Sequence, residues 1–471
     1  MDAQSIRLSE TLAALPEPWP DSLLPEIQER LAATERTLVV LDDDPTGTQT
    51  VHDVPVLTEW SAPALQAELA RRQPVFFVLT NSRSLPLAEA QALNAEIGRN
   101  LTRAAQAAGR DFAVVSRSDS TLRGHYPGEV DALAEGLGQR FDATLIIPFF
   151  LEGGRYTIGD IHYVAEGDAL IPAAETPFAR DAAFGYRSSD LRDWVEEKTG
   201  GRVRAADVRA ISIEQLRKGG PHAAGKALME LADGAVCVVN AAEMRDMEVF
   251  VSGLLDAEEG GKRFLYRTAA SFVQARAGIA PRPLLSPADL SLPAEGGALF
   301  VVGSYVPKTT AQVERLLAET GIGHVEIDVA ALLDDAHARQ AVAAAVDALN
   351  AALQDGRDLV LYTSRGLITG ADAAESLAIG KRVSDSLVEI VRSLEVRPRY
   401  LVAKGGITSS DIATKALGIR RAFVFGQALP GVPVWQAGPE SRYPGLAYVV
   451  FPGNVGGDDA LVRIVRSLDA D

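Results

Sequence analysis

The sequence predicts an α/β fold of two domains, each with a mostly parallel sheet and helices on both faces. Three observations predict it. Short apolar, β-type runs alternate with Ala/Leu/Glu-rich helical stretches along most of the chain. The alternation pauses once, over the Pro- and Gly-rich residues 278–297, which read as an interdomain linker, and then restarts. The chain has 471 residues and is 47% hydrophobic, enough for packed cores and, at roughly 150 residues per domain, for two to three domains.

The first-half strands are expected at 37–41 (TLVVL), 75–80 (VFFVLT), 112–116 (FAVVS), 144–148 (TLIIP), 235–239 (AVCVV) and 263–268 (RFLYRT). Helical stretches at 87–109 and 127–139 separate some of them. Beyond the break, strands are expected at 298–304, 324–328, 359–364, 400–406, 421–426 and 447–453, with helices at 330–354 and 370–394. The expected domains are 1–285, including an amino-terminal arm over 1–36, and 296–471.

Charge and cysteine content exclude several classes. Lys plus Arg is 46 and Asp plus Glu is 63, a net charge of −17, which speaks against nucleic-acid binding by bulk positive charge. The single cysteine, Cys237, rules out an internal disulfide and a cysteine-rich zinc site. Its apolar run, AVCVVN, reads as a buried, inert thiol. The first 36 residues are polar and Pro-rich, without a signal-peptide pattern. No apolar stretch approaches the ~20 residues that span a bilayer. A cytoplasmic protein without a membrane partner is expected, and a homodimer is compatible with the sequence.

Ligands of open α/β sheets gather beyond the carboxyl ends of strands, so the residues that follow each strand are the candidates. After 37–41 come Asp42, Asp43 and Asp44, then Pro45, Thr46 and Gly47. Three adjacent carboxylates need a cation or hydrogen-bond donors, which suggests a Mg²⁺ or substrate-hydroxyl site; a solvated, capping turn is the plainer alternative. After 75–80 comes Arg83, able to clamp a carboxylate. After 112–116, the run Arg117-Ser118-Asp119-Ser120-Thr121-Leu122-Arg123 is dense in groups that recognise acids and polyols. After 144–148, a glycine-rich loop carries Arg155 and Asp160 and reads equally as a lid or a long turn.

In the second half, Lys404-Gly405-Gly406-Ile407-Thr408-Ser409 joins a strand to a helix, where backbone N–H groups can approach phosphates. Ser304 and Gly453 mark two further small-residue turns, and Arg365 falls near the same rim. Together they suggest a cradle for a nucleotide phosphate chain. The G-x-x-x-x-G-K spacing at 220–226 is a decoy, since Ala227 stands where Ser or Thr is required and no strand precedes it. The six histidines show no metal-ligand spacing.

These segments resemble the four-carbon acid sugar kinases. Asp43-Asp44-Pro45-Thr46-Gly47 matches the family's D-D-x-T-G. Residues 117–124 match K-x-D-S-T-L-R-G with Arg for Lys, and Gly154-Arg155 through Asp160 is similar to G-R-x-x-x-x-G. Residues 405–409 match G-G-x-T-S, and 452–456 match P-G-N-x-G. The matches run in one order from 38 to 457. The resemblance implies an amino-terminal sugar-acid domain, a carboxy-terminal ATP domain and an active site in the interdomain cleft. It implies ATP contacts at Ser304, Gly405, Gly406, Ile407, Thr408 and Gly453. Asp43, Asp44, Arg83, Asp119 and Arg123 then fall on the substrate side; Arg83, Arg117 or Arg123 would anchor the substrate carboxylate, and Asp119 or one of Asp43 and Asp44 would orient or deprotonate the attacking hydroxyl, with Mg²⁺ serving the transferred group.

A rival reading uses the same residues. Asp42 through Thr46 also fits the D-x-D-x-T nucleophile loop of haloacid-dehalogenase-type phosphatases, with Asp42 phosphorylated, Asp44 as acid/base and Mg²⁺ between them. That reading leaves the S-T-L-R-G loop and the carboxy-terminal glycine turns unexplained. A nucleotide-gated regulator without catalysis is a third class.

Overall fold

The computed structural model describes residues 6–366, 368, 373–453 and 455–468, apart from the side chains of 373, 374, 376 and 377. The chain divides into two compact units. One comprises Met1–Gly47 and Glu59–Pro281, the other Thr48–Thr58 and Arg282–Asp471. A single cut near residue 285 therefore misses the exchange of one segment: 48–58 belongs to the second unit.

In chain order the strands are β1 (Ile6–Arg7), β2 (Thr37–Asp42), β3 (Val54–Leu57), β4 (Val75–Leu79), β5 (Phe112–Arg117) and β6 (Ala143–Ile147). Then follow β7 (Arg155–Ile158), β8 (Ile161–Glu166), β9 (Ala169–Pro172), β10 (Arg209–Ile211), β11 (Ala235–Val239) and β12 (Phe264–Thr268). The main sheet of the first unit has the order β10-β11-β6-β12-β5-β2-β4, and its neighbours are all parallel. Every residue of β2 and β4 is buried. Alternate side chains point to opposite faces, so both faces are covered. The crossover helix Leu87–Ala108 shows how: its buried Ile97, Leu101 and Ala104 recur at helical spacing and form one apolar stripe.

A smaller antiparallel sheet, β1-β9-β8-β7, belongs to the same unit. The glycine-rich loop after β6 thus leads into the β7–β8 hairpin. The arm packs on the same unit. Ile6 pairs with Leu170, and Arg30 of the helix Leu24–Ala33 reaches Asp256 at 2.8 Å and Glu259 at 2.9 Å.

The second unit adds β13 (Leu299–Val302), β14 (Gly323–Ile327), β15 (Leu359–Thr363), β16 (Tyr400–Lys404), β17 (Arg421–Leu429), β18 (Val432–Ala437) and β19 (Ala447–Phe451). Its strand order is β3-β17-β18-β19-β16-β13-β15-β14. The run from β19 to β14 is parallel, and the run from β3 to β19 is antiparallel. β3 was absent from the sequence expectations because a four-residue run containing Pro55 carries little strand signal. It is fixed by the ladder to β17 and by Trp435 Nε1, which donates to Thr48 Oγ1 at 3.0 Å.

The Pro/Gly-rich stretch is not a free linker. Leu285 N donates to the Gln427 carbonyl at 2.8 Å, and Leu285 and Leu290 join the second unit's core with Phe300, Val402 and Val449. No helix of the described residues is long and apolar enough to cross a membrane. The decoy run 220–226 lies in the helical segment Ile213–Met229, which kinks at Gly220 (φ +63°) ahead of Pro221. Cys237 is buried, and burial pushes its thiol up to about 12.

Candidate functional site

Two clusters of polar groups lie at the positions where the chain order of a sheet reverses. In the first unit β2 is central: the chain passes from it to β4 on one side and then to β5 on the other. Connections leaving in opposite directions open a crevice at the carboxyl ends of these strands. Asp42–Asp44, Arg83 and the 117–123 loop are the residues found there. In the second unit the chain leaves β13 towards β14 and β15 and returns on the other side as β16. Ser304 follows β13 and Gly405 follows β16.

In the first unit, Asp43 is buried and held by three donors. Arg83 gives Nε to Oδ2 at 3.2 Å and Nη2 to Oδ1 at 2.5 Å, and Ser118 Oγ donates to Oδ2 at 2.6 Å. Arg83 Nη1 lies 3.7 Å from Asp44 and 4.0 Å from Asp119. Asp119 accepts Arg123 Nε at 2.7 Å and the hydroxyl of Thr121. Arg123 Nη1 lies 3.6 Å from Asp181. Asp44 accepts both the amide and the hydroxyl of Thr46. Burial pushes the carboxyls of Asp44 and Asp119 up, but Arg83 and the threonine hydroxyls outweigh it, with Arg123 adding to the pull on Asp119. Asp44 ends below the ordinary carboxylate range and Asp119 well below it. Both are firmly ionised acceptors.

Arg117 is placed differently. It ends β5 opposite Asp42 and donates Nη1 to Asp42 Oδ1 at 3.3 Å, with both side chains buried. It is spent inside the sheet end and does not join the Arg83–Asp119–Arg123 network. Asp42 is closed off as well: a methyl on Gly47 would fall 1.8 Å from its Oδ2. Burial, then repulsion from Asp43 and Asp44, pushes its carboxyl up to about 7 despite Arg117. A phosphatase nucleophile must be an accessible carboxylate, and Asp42 is 2% exposed. The geometry speaks against that role.

The acidic triplet also fails as a magnesium cage. Its carboxylates are matched by Arg117, Arg83 and Thr46. Among the described residues no group of three or more His, Cys, Asp or Glu could hold a metal ion.

Several neighbours were not singled out in the sequence. Arg267, in β12, is buried and donates to the carbonyls of Asp119 at 2.9 Å and Arg123 at 2.8 Å, which fixes the 117–123 loop. An arginine inside an apolar strand was the available signal. Buried Glu129 accepts Asn94 Nδ2 at 3.2 Å; burial and then Asp43 push its carboxyl up to about 7. Phe178 carries Arg123 at 5.1 Å and Arg155 at 5.8 Å from its ring centre; nothing in the sequence linked it to them. His162 is buried against Thr157 and the Ser120 carbonyl, and burial pulls it down to about 4, so it is a neutral structural residue. Asp160 is paired with Arg192 at 2.7 Å, away from the arginine network.

In the second unit the small-residue turns converge. A methyl on Gly303 would meet Thr408 Oγ1 at 2.3 Å, and Gly405 has φ +114° with Ser304 Cβ and Thr408 Oγ1 each 3.3 Å from where its own Cβ would be. Only glycine lets these two strand ends come together with Thr408 between them. Thr309 Oγ1 donates to Ser304 Oγ and to the Gly453 carbonyl, each at 3.2 Å, tying the third turn to the first. Gly406 opens the helix Gly406–Asp411, whose first-turn N–H groups have no intrahelical acceptor. Thr408 is buried, whereas Ile407 is 59% exposed. Arg365 Nη1 donates to the Ser304 carbonyl at 2.7 Å. Asn454 of the P-G-N-x-G turn lies outside the described residues.

Lys404 is the main addition. It is fully buried, donates Nζ to the carbonyls of Pro452 at 3.0 Å and Gly453 at 3.3 Å, and sits 4.0 Å from the Phe451 ring centre. Burial, then Lys308, pulls its ammonium down to about 7. A lysine directly before Gly-Gly at a strand end was the signal for it.

Known proteins share this organisation. Residues 38–276 match a family described as a sugar-binding N-terminal domain, and residues 299–461 match one described as a nucleotide-binding C-terminal domain. A 3-oxo-tetronate kinase of Cupriavidus necator is 28% identical over 369 residues, covering 76% of this chain and 78% of that protein. The fold is shared with a Salmonella typhimurium LT2 protein described as a candidate tRNA synthase: TM-score 0.67, 18% identity, 91% of this chain and 99% of that one. It is shared also with a Haemophilus influenzae protein assigned to a domain of unknown function: TM-score 0.61, 17% identity, 91% of this chain and 100% of that one.

Proposed function

The chain belongs to the four-carbon acid sugar kinase family, and we propose that it transfers the γ-phosphoryl group of ATP to a hydroxyl of a four-carbon sugar acid of the threonate, erythronate or 3-oxo-tetronate type. The carrying observation is a division of chemistry. The first unit holds an arginine-rich cluster at its switch point, and the second holds a glycine-lined turn at its own. The first suits a small polar acid and the second suits a phosphate chain.

In this reading the first unit takes the sugar acid and the second takes ATP. The turn at Gly405, Gly406, Ile407 and Thr408, with Ser304 and Gly453, receives the nucleotide phosphates on backbone N–H groups. Asp119 and Asp44 accept the hydrogen bond of the acceptor hydroxyl and orient its oxygen towards the γ-phosphorus. Both carboxylates are weak bases. That suits a loose phosphoryl-transfer transition state, in which the nucleophile's proton leaves late. The new bond joins the sugar oxygen to phosphorus, the bond to the β–γ bridging oxygen breaks, the hydroxyl proton passes to the accepting carboxylate and from it to water, and ADP leaves. Asp43 and Arg83 hold the loop geometry beneath them, and Arg123 fixes Asp119. Magnesium arriving with the nucleotide would supply charge neutralisation on the phosphates.

The test is ADP formation across threonate, erythronate and oxo-tetronate acids. ATP-dependent turnover of at least one acid is expected, with no phosphate released from sugar phosphates in the absence of ATP. Phosphate release without ATP would favour a phosphatase, and ATP binding without turnover on any acid would favour a regulator.

A further inference from the structure

The arginines of the first-unit cluster are not equivalent. Arg83 is committed to Asp43 and Asp44, and Arg117 to Asp42. Arg123 is committed to Asp119 and Asp181. Arg267 is committed to two backbone carbonyls. Arg155, at the start of β7, differs. Among the described residues no carboxylate forms an ion pair with it, its guanidinium lies over the Phe178 ring that Arg123 also faces, and its Nε, like those of Arg117 and Arg267, is buried without a hydrogen-bond partner. The charged and titratable groups acting on it are Asp119, Arg123 and Tyr186.

A half-buried cation with no counter-ion is costly, and Arg remains charged at any accessible pH. The surrounding structure holds it in place: Arg155 N donates to the Phe150 carbonyl, the Phe150 amide donates to the Arg155 carbonyl, and Arg155 registers with Val164 across the hairpin. We propose that Arg155 is the residue that binds the substrate's carboxylate. Its guanidinium supplies a planar fork for a planar anion, and Asp119 is the neighbouring carboxylate that receives the hydroxyl end of the same short molecule. Arg155 thereby selects a sugar acid over an uncharged polyol. The assignment rests on the sugar-acid kinase reading above and names the residue within it that the acid group requires.

The test is steady-state kinetics of the full-length protein with the tetronate that the wild type phosphorylates best, together with ADP titration. Arg155→Met removes no ion pair and should fold. Its KM for the acid should rise about 10- to 100-fold, the value of a charged, paired hydrogen bond. Its kcat should change less than about threefold, and its ADP affinity should be unchanged. Arg155→Lys keeps the charge without the fork and should give an intermediate KM; it also serves if the methionine variant does not fold. A KM within threefold of wild type in the variants, or a fall in kcat with KM unchanged, would overturn the assignment. A wild type that phosphorylates none of the tetronates would instead sink the kinase reading on which the assignment stands.

Discussion

Arg83 closes on Asp43 through two parallel hydrogen bonds, Nε to Oδ2 at 3.2 Å and Nη2 to Oδ1 at 2.5 Å, across forty residues of sequence. The pair makes one charged platform of the ends of β2 and β4. Removing one partner of such a pair leaves the other buried and uncompensated. Arg83→Met should therefore lose about 3–5 kcal/mol of unfolding free energy, measured by urea denaturation at neutral pH. Asp43→Asn keeps an acceptor for Arg83 and Ser118 and should lose less. Equal stability of Arg83→Met and wild type would show that the platform does not depend on the pair.

Asp42 makes stability depend on pH in a defined window. Its carboxyl is raised in the fold to about 7 from an ordinary value of 3.8, so the folded state binds the extra proton. Its stabilising contribution is complete below about pH 4 and is lost as pH rises through 7. Asp42→Asn cannot titrate. The stability difference, wild type minus variant, should fall by up to roughly 4 kcal/mol between pH 4 and 8 and then level off. ATP-dependent turnover should survive in Asp42→Asn within about tenfold; complete loss would revive the nucleophile role.

Lys404 works with the opposite sign. Its ammonium is lowered to about 7 from 10.5, so between these values the unfolded state holds a proton that the folded state lacks. The cost of burying the charge is full below about pH 7 and is relieved as pH rises towards 10. Thermal melts of the wild type should therefore gain stability over this window relative to Lys404→Met, by a few kcal/mol at most. Parallel pH profiles for the two proteins would refute this.

Gly303→Ala tests the closeness of the second-unit turns. Its new methyl would lie 2.3 Å from Thr408 Oγ1 and 3.0 Å from Leu387 Cδ1, so Thr408 must move. ADP affinity should fall at least about tenfold, while the KM for the sugar acid stays within threefold. An unchanged ADP titration would separate Thr408 from the nucleotide.

The strand ends were legible because chemistry and punctuation coincide there. Apolar runs stop abruptly at Asp42, Arg117 and Lys404, and a buried strand cannot carry such groups further without pairing them. Elements held by distant partners were not legible. β3 has four residues and a proline, and its reason to be a strand lies on β17, more than 360 residues later. The hairpin of β7 and β8 likewise lay hidden in a loop rich in glycine. The 278–297 stretch looked like a linker because its core-facing leucines, Leu285 and Leu290, sit among prolines and follow neither helical nor strand periodicity.

The sequence by itself determined the alternating α/β plan, the inert cysteine and the residues that crowd each strand end, because these follow from local periodicity and from the cost of burying charge. Only the tertiary structure decided how the charges are shared. Arg117 turns to Asp42 inside the sheet, Arg83 serves Asp43, and Arg123 serves Asp119, while Arg155 is left over beside Phe178. Adjacent residues on a chain carry no record of which distant side chain will cancel their charge. Pairing depends on separations of a few ångströms, and those are set by the packing of whole strands.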